Sequence, residues 1–496
     1  MSDIAIATSS QPEQVGLFDR ALRRVASLWR DMASAVAGGT EDGIEEQMRA
    51  CLDGRGGEVS ARNRAARLAQ AYLSADEQGR LEFLRTLARF DADPEAVARA
   101  IERVKEAGHD LAERSAAQAQ LRRALEPPRM RLLTQFTTIP DGVKFLVNLR
   151  AHLLRARNGD PLLAALEADL KTLLANWFDV GFLDLRRIDW SSPASLLEKL
   201  VGYEAVHRIR TWRDLKNRLD SDRRCYAFFH PRMPDEPLIF VEVALVEGMA
   251  TSVQRLLDQK APVLDPREAD TAIFYSINNC QRGLDGISFG NFLIKRVVAL
   301  LSEEFRSLKT FATLSPIPGF CRWLDQALVE DPELLTEAEI EALLKAAPEL
   351  PALPAPNGSA TAMAGSAAMA VEMPEGAQAL RRILARRGWH RDQELAKVLE
   401  PVLTRLCARY LLAEVDPRNP RRARDPVAHF HLSNGARVER INWLGDVSEK
   451  GMRESCGLMV NYLYDPARIE TYHEGYVGEG RRPAATPLRR LSRGWA

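Results

Sequence analysis

The sequence has no excess of either charge. Its 496 residues hold 68 Lys plus Arg against 68 Asp plus Glu. No net field therefore exists to drive wholesale binding to nucleic acid or to an anionic bilayer, and any anion site must be local. Cysteine is scarce and unpaired in sequence: Cys51, Cys225, Cys280, Cys321, Cys407 and Cys456 include no CxxC. That argues against a zinc ribbon or a thioredoxin motif and reads as buried thiols in a reducing compartment. No apolar stretch reaches the roughly 18 residues that would span a bilayer, and the opening MSDIAIATSSQPEQ lacks the basic-then-apolar pattern of a signal peptide. The closing RLSRGWA carries no SKL-type address. The expectation is a cytoplasmic protein that binds neither nucleic acid nor membrane. With 46% hydrophobic and 27% charged residues, disorder and a small stapled scaffold are also excluded. At about 150 residues per domain there is room for two to four domains.

From about Pro12 to Leu185 the apolar residues recur at three and four, as in Phe18, Leu22, Val25, Trp29 and Met32, the pattern of a helical bundle. Breaks at Asp53–Gly57, Asp91–Pro94, Pro127–Pro128, Ile139–Gly142 and Asn158–Pro161 divide it into helices of moderate length. This part, residues 1–185, shows no catalytic constellation. Its expected work is packing, oligomerisation or covering a neighbouring site.

Near Trp190 the texture changes. Ser191-Ser192-Pro193 reads as an N-cap with proline in the first turn. Cys225–Phe229 and Leu238–Leu245, rich in β-branched and aromatic residues, predict an antiparallel hairpin. Thr271–Ile277 reads as a strand, followed by Gly283, Gly286 and Gly290 and then a helix over Phe292–Phe305. Phe311–Leu314 predicts a short strand ending at Ser315-Pro316. Phe430–Leu432 and Arg437–Trp443 flank Asn434-Gly435, a hairpin signal. Leu350 to Gln378 is Ala, Pro, Gly, Ser and Met with almost no charge, which reads as a flexible surface insertion without chemistry. Residues 186–496 are thus expected to form a mixed α+β domain with a mostly antiparallel sheet, interrupted by a helical excursion from about Arg322 to Glu414.

Three features bear on chemistry. The glycine-rich turn Gln281–Asn291 stands between a strand and a helix, where free backbone N–H groups and the helix dipole suit phosphate. Its spacing is neither GxGxxG nor a P-loop, so on composition alone glycines that merely permit tight turns are the favoured reading. Ser315 stands before Pro316 and Pro318, a stiff segment that aims one hydroxyl, or alternatively caps the following helix. His429 and His431 alternate on what reads as a strand and so share a face. No third ligand accompanies them, so no metal site is expected, and His431 is the better acid or base. Cys456 reads as a buried, inert thiol.

The strings FFHPRMPDEPLIFVEVAL from Phe228, FYSINNCQRGLDGISFGNFLIKRVV from Phe274, FATLSPIPGFCRWL from Phe311, HFHLSNGARVERINWLGDVS from His429 and GMRESCGLMVNYLYD from Gly451 closely resemble malonyl-CoA decarboxylase. So do LRRIDWSSPASLLEKL and YEAVHRIRTWRDLKNRL upstream, and the likeness covers most of Asp141 to Asp465. The resemblance implies a helical N-terminal domain followed by a catalytic domain of the GNAT acyltransferase fold. It also implies conversion of malonyl-CoA to acetyl-CoA and carbon dioxide without a metal or organic cofactor, in a homo-oligomer, dimer or tetramer. It assigns proton acceptor to Ser315, proton donor to His431, and acyl-CoA contact to the loop of Asp285, Gly286, Ile287, Ser288, Phe289, Gly290 and Asn291. Ser288 stands where some members carry glutamate, so orientation of the pair by that carboxylate is in question. Lys295 and Arg296 rank below the loop backbone as phosphate ligands. Two rivals stand beside this expectation: an acyltransferase of the same fold, and a non-catalytic acyl-CoA sensor.

Overall fold

The computed structural model describes residues 29, 43–53, 57–287, 292–347 and 373–493. Eight helices come first: α1 (Ile44–Leu52), α2 (Gly57–Ser74), α3 (Glu77–Arg89), α4 (Pro94–Glu106), α5 (Leu111–Leu125), α6 (Pro128–Phe136), α7 (Gly142–Ala156) and α8 (Pro161–Trp177). Their starts carry the expected chemistry. Asp93 and Asp160 accept hydrogen bonds from the first-turn N–H groups, with Pro94 and Pro161 opening the helices, because a proline N–H would be unsatisfied there anyway. Of the apolar series read near the N-terminus, only Trp29 lies among the described residues, and it is fully buried.

Strand β1 (Asp184–Ile188) opens the second part. Helices α9 (Ala194–Tyr203) and α10 (Trp212–Arg218) follow, then β2 (Arg223–His230), β3 (Met233–Val246), the short α11 (Val253–Leu256) and β4 (Thr271–Asn279). Pro193 is the N-cap of α9 and lies outside its first turn, while Ser192 Oγ accepts from Asp189 N–H. Next come α12 (Phe292–Glu304), β5 (Thr310–Thr313) and β6 (Ser315–Pro316). The helical excursion is α13 (Phe320–Glu330), α14 (Glu337–Ala346), α15 (Glu375–Ala385) and α16 (Gln393–Leu412), followed by the small ribbon β7 (Val415–Asp416) and β8 (Asn419–Ala423). The chain closes with α17 (Pro426–Ser433), β9 (Arg437–Asn442), α18 (Glu449–Ser455), β10 (Met459–Leu463), α19 (Ile469–Glu479) and α20 (Thr486–Leu491).

The main sheet has eight strands in the order β1-β2-β3-β4-β5-β10-β6, with β9 also paired to β10. Every pairing is antiparallel except β4 with β5. The parallel pair is forced by the intervening glycine turn and α12, since parallel neighbours need a crossover. One buried apolar cluster runs from Phe83 and Phe145 in the helices through Phe228, Val241 and Phe274 on the sheet to Leu301 of α12. At roughly 1.5–3 kcal/mol for each buried large side chain, this shared core fixes the first part against the second. A second cluster, with Ala244, Ile273, Ala312, Leu314 and Met459, covers the other face.

Two further expectations are corrected. His429 and His431 lie on helix α17, and no hairpin forms there. Asp425 accepts from Val427 N–H at 3.0 Å and Ala428 N–H at 2.8 Å, with Pro426 in the first turn. The strong N-cap overrides the strand reading of a short apolar run. Gly435 then ends the helix at φ +79°, where a Cβ would lie 2.2 Å from the Ile469 carbonyl oxygen. The Asn-Gly signal is thus a helix stop. The second correction concerns the insertion: its last residues begin α15, and Gly376 packs so close to Ile340 that a Cβ would lie 2.7 Å from that side chain. The rest of the stretch is outside the described residues.

Candidate active site

The loop after β4 is braced from below by the helical part. Arg150 of α7, 1% exposed, donates to the Gly283 carbonyl at 2.6 Å and the Asp285 carbonyl at 2.9 Å. Glu167 of α8 holds the same guanidinium at 2.7 and 3.1 Å. Gly283 permits this approach, since a Cβ there would lie 1.7 Å from the Val147 carbonyl oxygen. Gly286 adopts φ +72°, and a Cβ added to it would sit 3.5 Å from the Lys171 ammonium of α8. Of the expected acyl-CoA loop, Asp285 and Gly286 are exposed and Ile287 is buried in the core. Ile287 therefore anchors the loop. Asp285 contributes through its carbonyl, while partial burial raises the pKa of its carboxyl. Ser288, Phe289, Gly290 and Asn291 lie outside the described residues. Lys295 pairs with Glu470, and Arg296 donates to the Leu183 carbonyl at 3.1 Å, which accounts for both cations structurally.

The second cluster forms where β6, α17 and the end of β10 meet. Ser315 and His431, 116 residues apart in sequence, come together with Oγ 3.0 Å from Nε2. Ser315 Oγ–H donates to Thr313 Oγ1 at 2.8 Å, and Thr313 Oγ1 also accepts from Tyr462 N–H. His431 Nδ1 lies 2.7 Å from Tyr464 Oη, and the Tyr462 ring stacks on the imidazole at a centroid distance of 4.5 Å. Since Ser315 gives its proton to Thr313, Nε2 must be the donor in the contact with Ser315. Nδ1 of the neutral ring is then the acceptor for the Tyr464 phenol. Ser315, His431, Tyr462 and Tyr464 are all at most 5% exposed. Burial alone lowers the His431 pKa from 6.5 to about 3, so the ring is neutral at ordinary pH.

Ser315 is not the cap of the following helix; Gly319 is. Asp425 ties the segments of Ser315 and His431 together: it caps α17 and also accepts from Gly319 N–H, and burial raises its pKa to about 6. Among the described residues no carboxylate contacts Ser315 or His431; the polar side chains that contact the pair are Thr313 and Tyr464. Nor does any group of three or more His, Cys, Asp and Glu side chains among the described residues form a metal-holding cluster.

The malonyl-CoA decarboxylase C-terminal domain profile matches residues 181–495, and the N-terminal domain profile matches residues 90–178. The chain belongs to the malonyl-CoA decarboxylase family. Mitochondrial malonyl-CoA decarboxylase of the goose Anser anser anser is 36% identical over 435 residues, covering 84% of this chain and 81% of that protein. The Mus musculus enzyme is 38% identical over 361 residues, covering 70% and 68%. The crystal structure of malonyl-CoA decarboxylase from Rhodopseudomonas palustris superposes with a TM-score of 0.77 at 39% identity, covering 90% of this chain and 98% of that one. The Cupriavidus metallidurans structure gives 0.66 at 39% identity over 90% and 98%.

Thr313, Tyr462, Tyr464, Arg150 and Lys171 were not singled out from the sequence. For the tyrosines a signal was present: in Asn461-Tyr462-Leu463-Tyr464 the rings alternate by two, the spacing that puts side chains on one face of a strand. Thr313 and Ser315 are related in the same way. Arg150 and Lys171 left no local mark, because helical cations are usually solvated.

Proposed function

We propose that the chain converts malonyl-CoA to acetyl-CoA and carbon dioxide at the Ser315–His431 pair, with the coenzyme's phosphates lodged against the loop after β4. The reaction rests on family membership; the single observation supporting the residue roles is the 3.0 Å contact of Ser315 Oγ with His431 Nε2. Loss of carbon dioxide leaves an electron pair on the α-carbon, which is tolerable only as an enolate delocalised into the thioester carbonyl. The substrate itself is therefore the electron sink, and the reading calls for no metal or organic cofactor. The Ser315 hydroxyl, held between Thr313 and His431, orients the terminal carboxylate so that its breaking bond stands perpendicular to the carbonyl plane. His431 Nε2–H then delivers its proton to the α-carbon. An enolate carbon is a stronger base than an imidazolate, so a neutral ring suffices as donor. Tyr464 fixes the required tautomer.

A neutral, buried surround suits this chemistry. A cation beside the carboxylate would stabilise the ground state, whose charge is localised, more than the transition state in which that charge is leaving. At the other end, Gly286, the N-terminus of α12 and Lys171 supply donors and positive charge for the diphosphate.

The test is to incubate purified protein with malonyl-CoA in the presence of a chelator and follow acetyl-CoA and carbon dioxide. One-to-one release without acylation of an added amine is expected. Binding without turnover, or transfer to the amine, would remove the reading. A homo-oligomer resident in the cytoplasm belongs to the same proposal; light scattering and fractionation test those two points. Among the described residues no helix is long and apolar enough to cross a membrane.

A further inference from the structure

Cys321 and Cys456 are distant in sequence, separated by 135 positions, yet their sulfurs lie 3.2 Å apart. Both are free thiols. Cys321 sits in the first turn of α13 and is partly exposed. Cys456 ends α18 in a left-handed conformation, φ 52°, with its N–H bonded back to the Gly451 and Met452 carbonyls. Pairing of Pro316 with Met459 clamps the two segments together just beyond the thiols. The sulfurs are thus held in near contact by backbone fixed on both sides, and closing to the roughly 2.0 Å of a disulfide asks for a shift of only about an ångström.

We propose that Cys321 and Cys456 form a redox-active dithiol, a modification site at which a peroxide-class oxidant closes an intramolecular disulfide. In the first step the Cys321 sulfur attacks a peroxide oxygen: an S–O bond forms, the O–O bond breaks, and for hydrogen peroxide one water leaves. In the second, the Cys456 sulfur attacks Cys321: the S–S bond forms, the S–O bond breaks, and a second water leaves. Two thiols lose two electrons in total, the peroxide gains them, and both thiol protons end in water. Exposure sets the order. Cys456 is 5% exposed and Cys407, the third thiol of the region, is fully buried, so the oxidant reaches Cys321 first. The hydrogen bond to Cys321 and burial also hold the Cys456 pKa well above the ordinary thiol range, which keeps Cys456 protonated while Cys321 reacts.

The test is peptide mapping of the full chain after brief treatment with hydrogen peroxide and alkylation. The expected result is a Cys321–Cys456 cross-linked peptide pair, a mass loss of about 2 Da and full reversal by dithiothreitol. In Cys456→Ser the reaction should stop at a Cys321 sulfenic acid that dimedone traps; in Cys321→Ser, Cys456 should resist the same dose. Reduced variants turning over malonyl-CoA within about twofold of the parent report an intact fold, and if Cys456→Ser misfolds, the cross-link in the unmodified chain decides alone. A cross-link to Cys407, or sulfinic acid at Cys321 with no cross-link, overturns the proposal. The readout is a covalent bond, so failure of the decarboxylase reading would leave it standing.

Discussion

At the loop end of the site the structural contacts are charged: Arg150 grips two loop carbonyls with Glu167 behind it, and Lys171 stands beside Gly286. At the reacting end the contacts are neutral: hydroxyl to hydroxyl, hydroxyl to imidazole, phenol to imidazole. On the proposed function the contrast matches what each end would have to stabilise. A diphosphate keeps its charge throughout the reaction, so full charges and helix dipoles stabilise it at every stage. The malonyl carboxylate loses its charge in the reaction, so only groups that orient it and later supply a proton accelerate the step.

The largest expected effect breaks the neutral end. His431→Asn removes the proton donor but keeps a polar side chain in place; turnover should fall by roughly 10²–10⁴ while KM moves only a few-fold. Steady-state kinetics check this, and near-normal kcat would withdraw His431 from the chemistry. At the charged end Arg150→Met leaves two loop carbonyls without their donor and buried Glu167 with only the half-exposed Arg157, at 2.9 Å, as its partner. A stability loss of about 3–5 kcal/mol is expected from breaking the buried pair, measurable by denaturant unfolding. KM should rise at least about tenfold and kcat should move less, since the loop binds and does not react. A fall in kcat with KM unchanged would mean the two ends are not separable.

Tyr464→Phe is the subtler test of the neutral end. With the phenol gone, the imidazole is free to place its proton on Nδ1, and kcat should fall about tenfold, the cost of roughly one hydrogen bond. The pH profile sharpens this. Because the His431 pKa is lowered to about 3, kcat should show no acid limb near pH 6.5 that belongs to this ring. The linkage to stability has a definite sign. The unfolded chain binds the His431 proton below about pH 6.5 and the folded chain does not, so this residue's contribution is fully present above pH 6.5 and is lost as pH falls towards 3.

The two ends also differ in how far the sequence discloses them. The helical part was legible through its punctuation, since Asp93-Pro94 and Asp160-Pro161 mark helix starts by the chemistry of unsatisfied N–H groups. The same rule holds at Asp425-Pro426 but was not applied there; the run before Asn434-Gly435 was read as strand, and it is helix α17. Ser315 and His431 were found as residues, but their contact was not, because it depends on β6 and β10 pairing across the chain. The Arg150 brace was illegible for a different reason. A helical arginine is ordinarily solvated, and only the approach of Gly283 to the Val147 carbonyl puts loop carbonyls within its reach.

The smallest expected effect tests whether the charged end acts on the ligand or only on the loop. Lys171 is exposed, and an exposed charge contributes at most about 1 kcal/mol. Lys171→Gln should therefore raise KM by only about two- to fivefold and leave kcat and unfolding unchanged. Salt separates contact with phosphate from mere loop packing. An ammonium facing a diphosphate is screened at high ionic strength, so the gap between parent and variant should shrink as salt rises from about 0.01 to 0.5 M. A gap that persists at high salt would assign Lys171 to the loop's shape and leave the phosphates to the backbone and the dipole of α12.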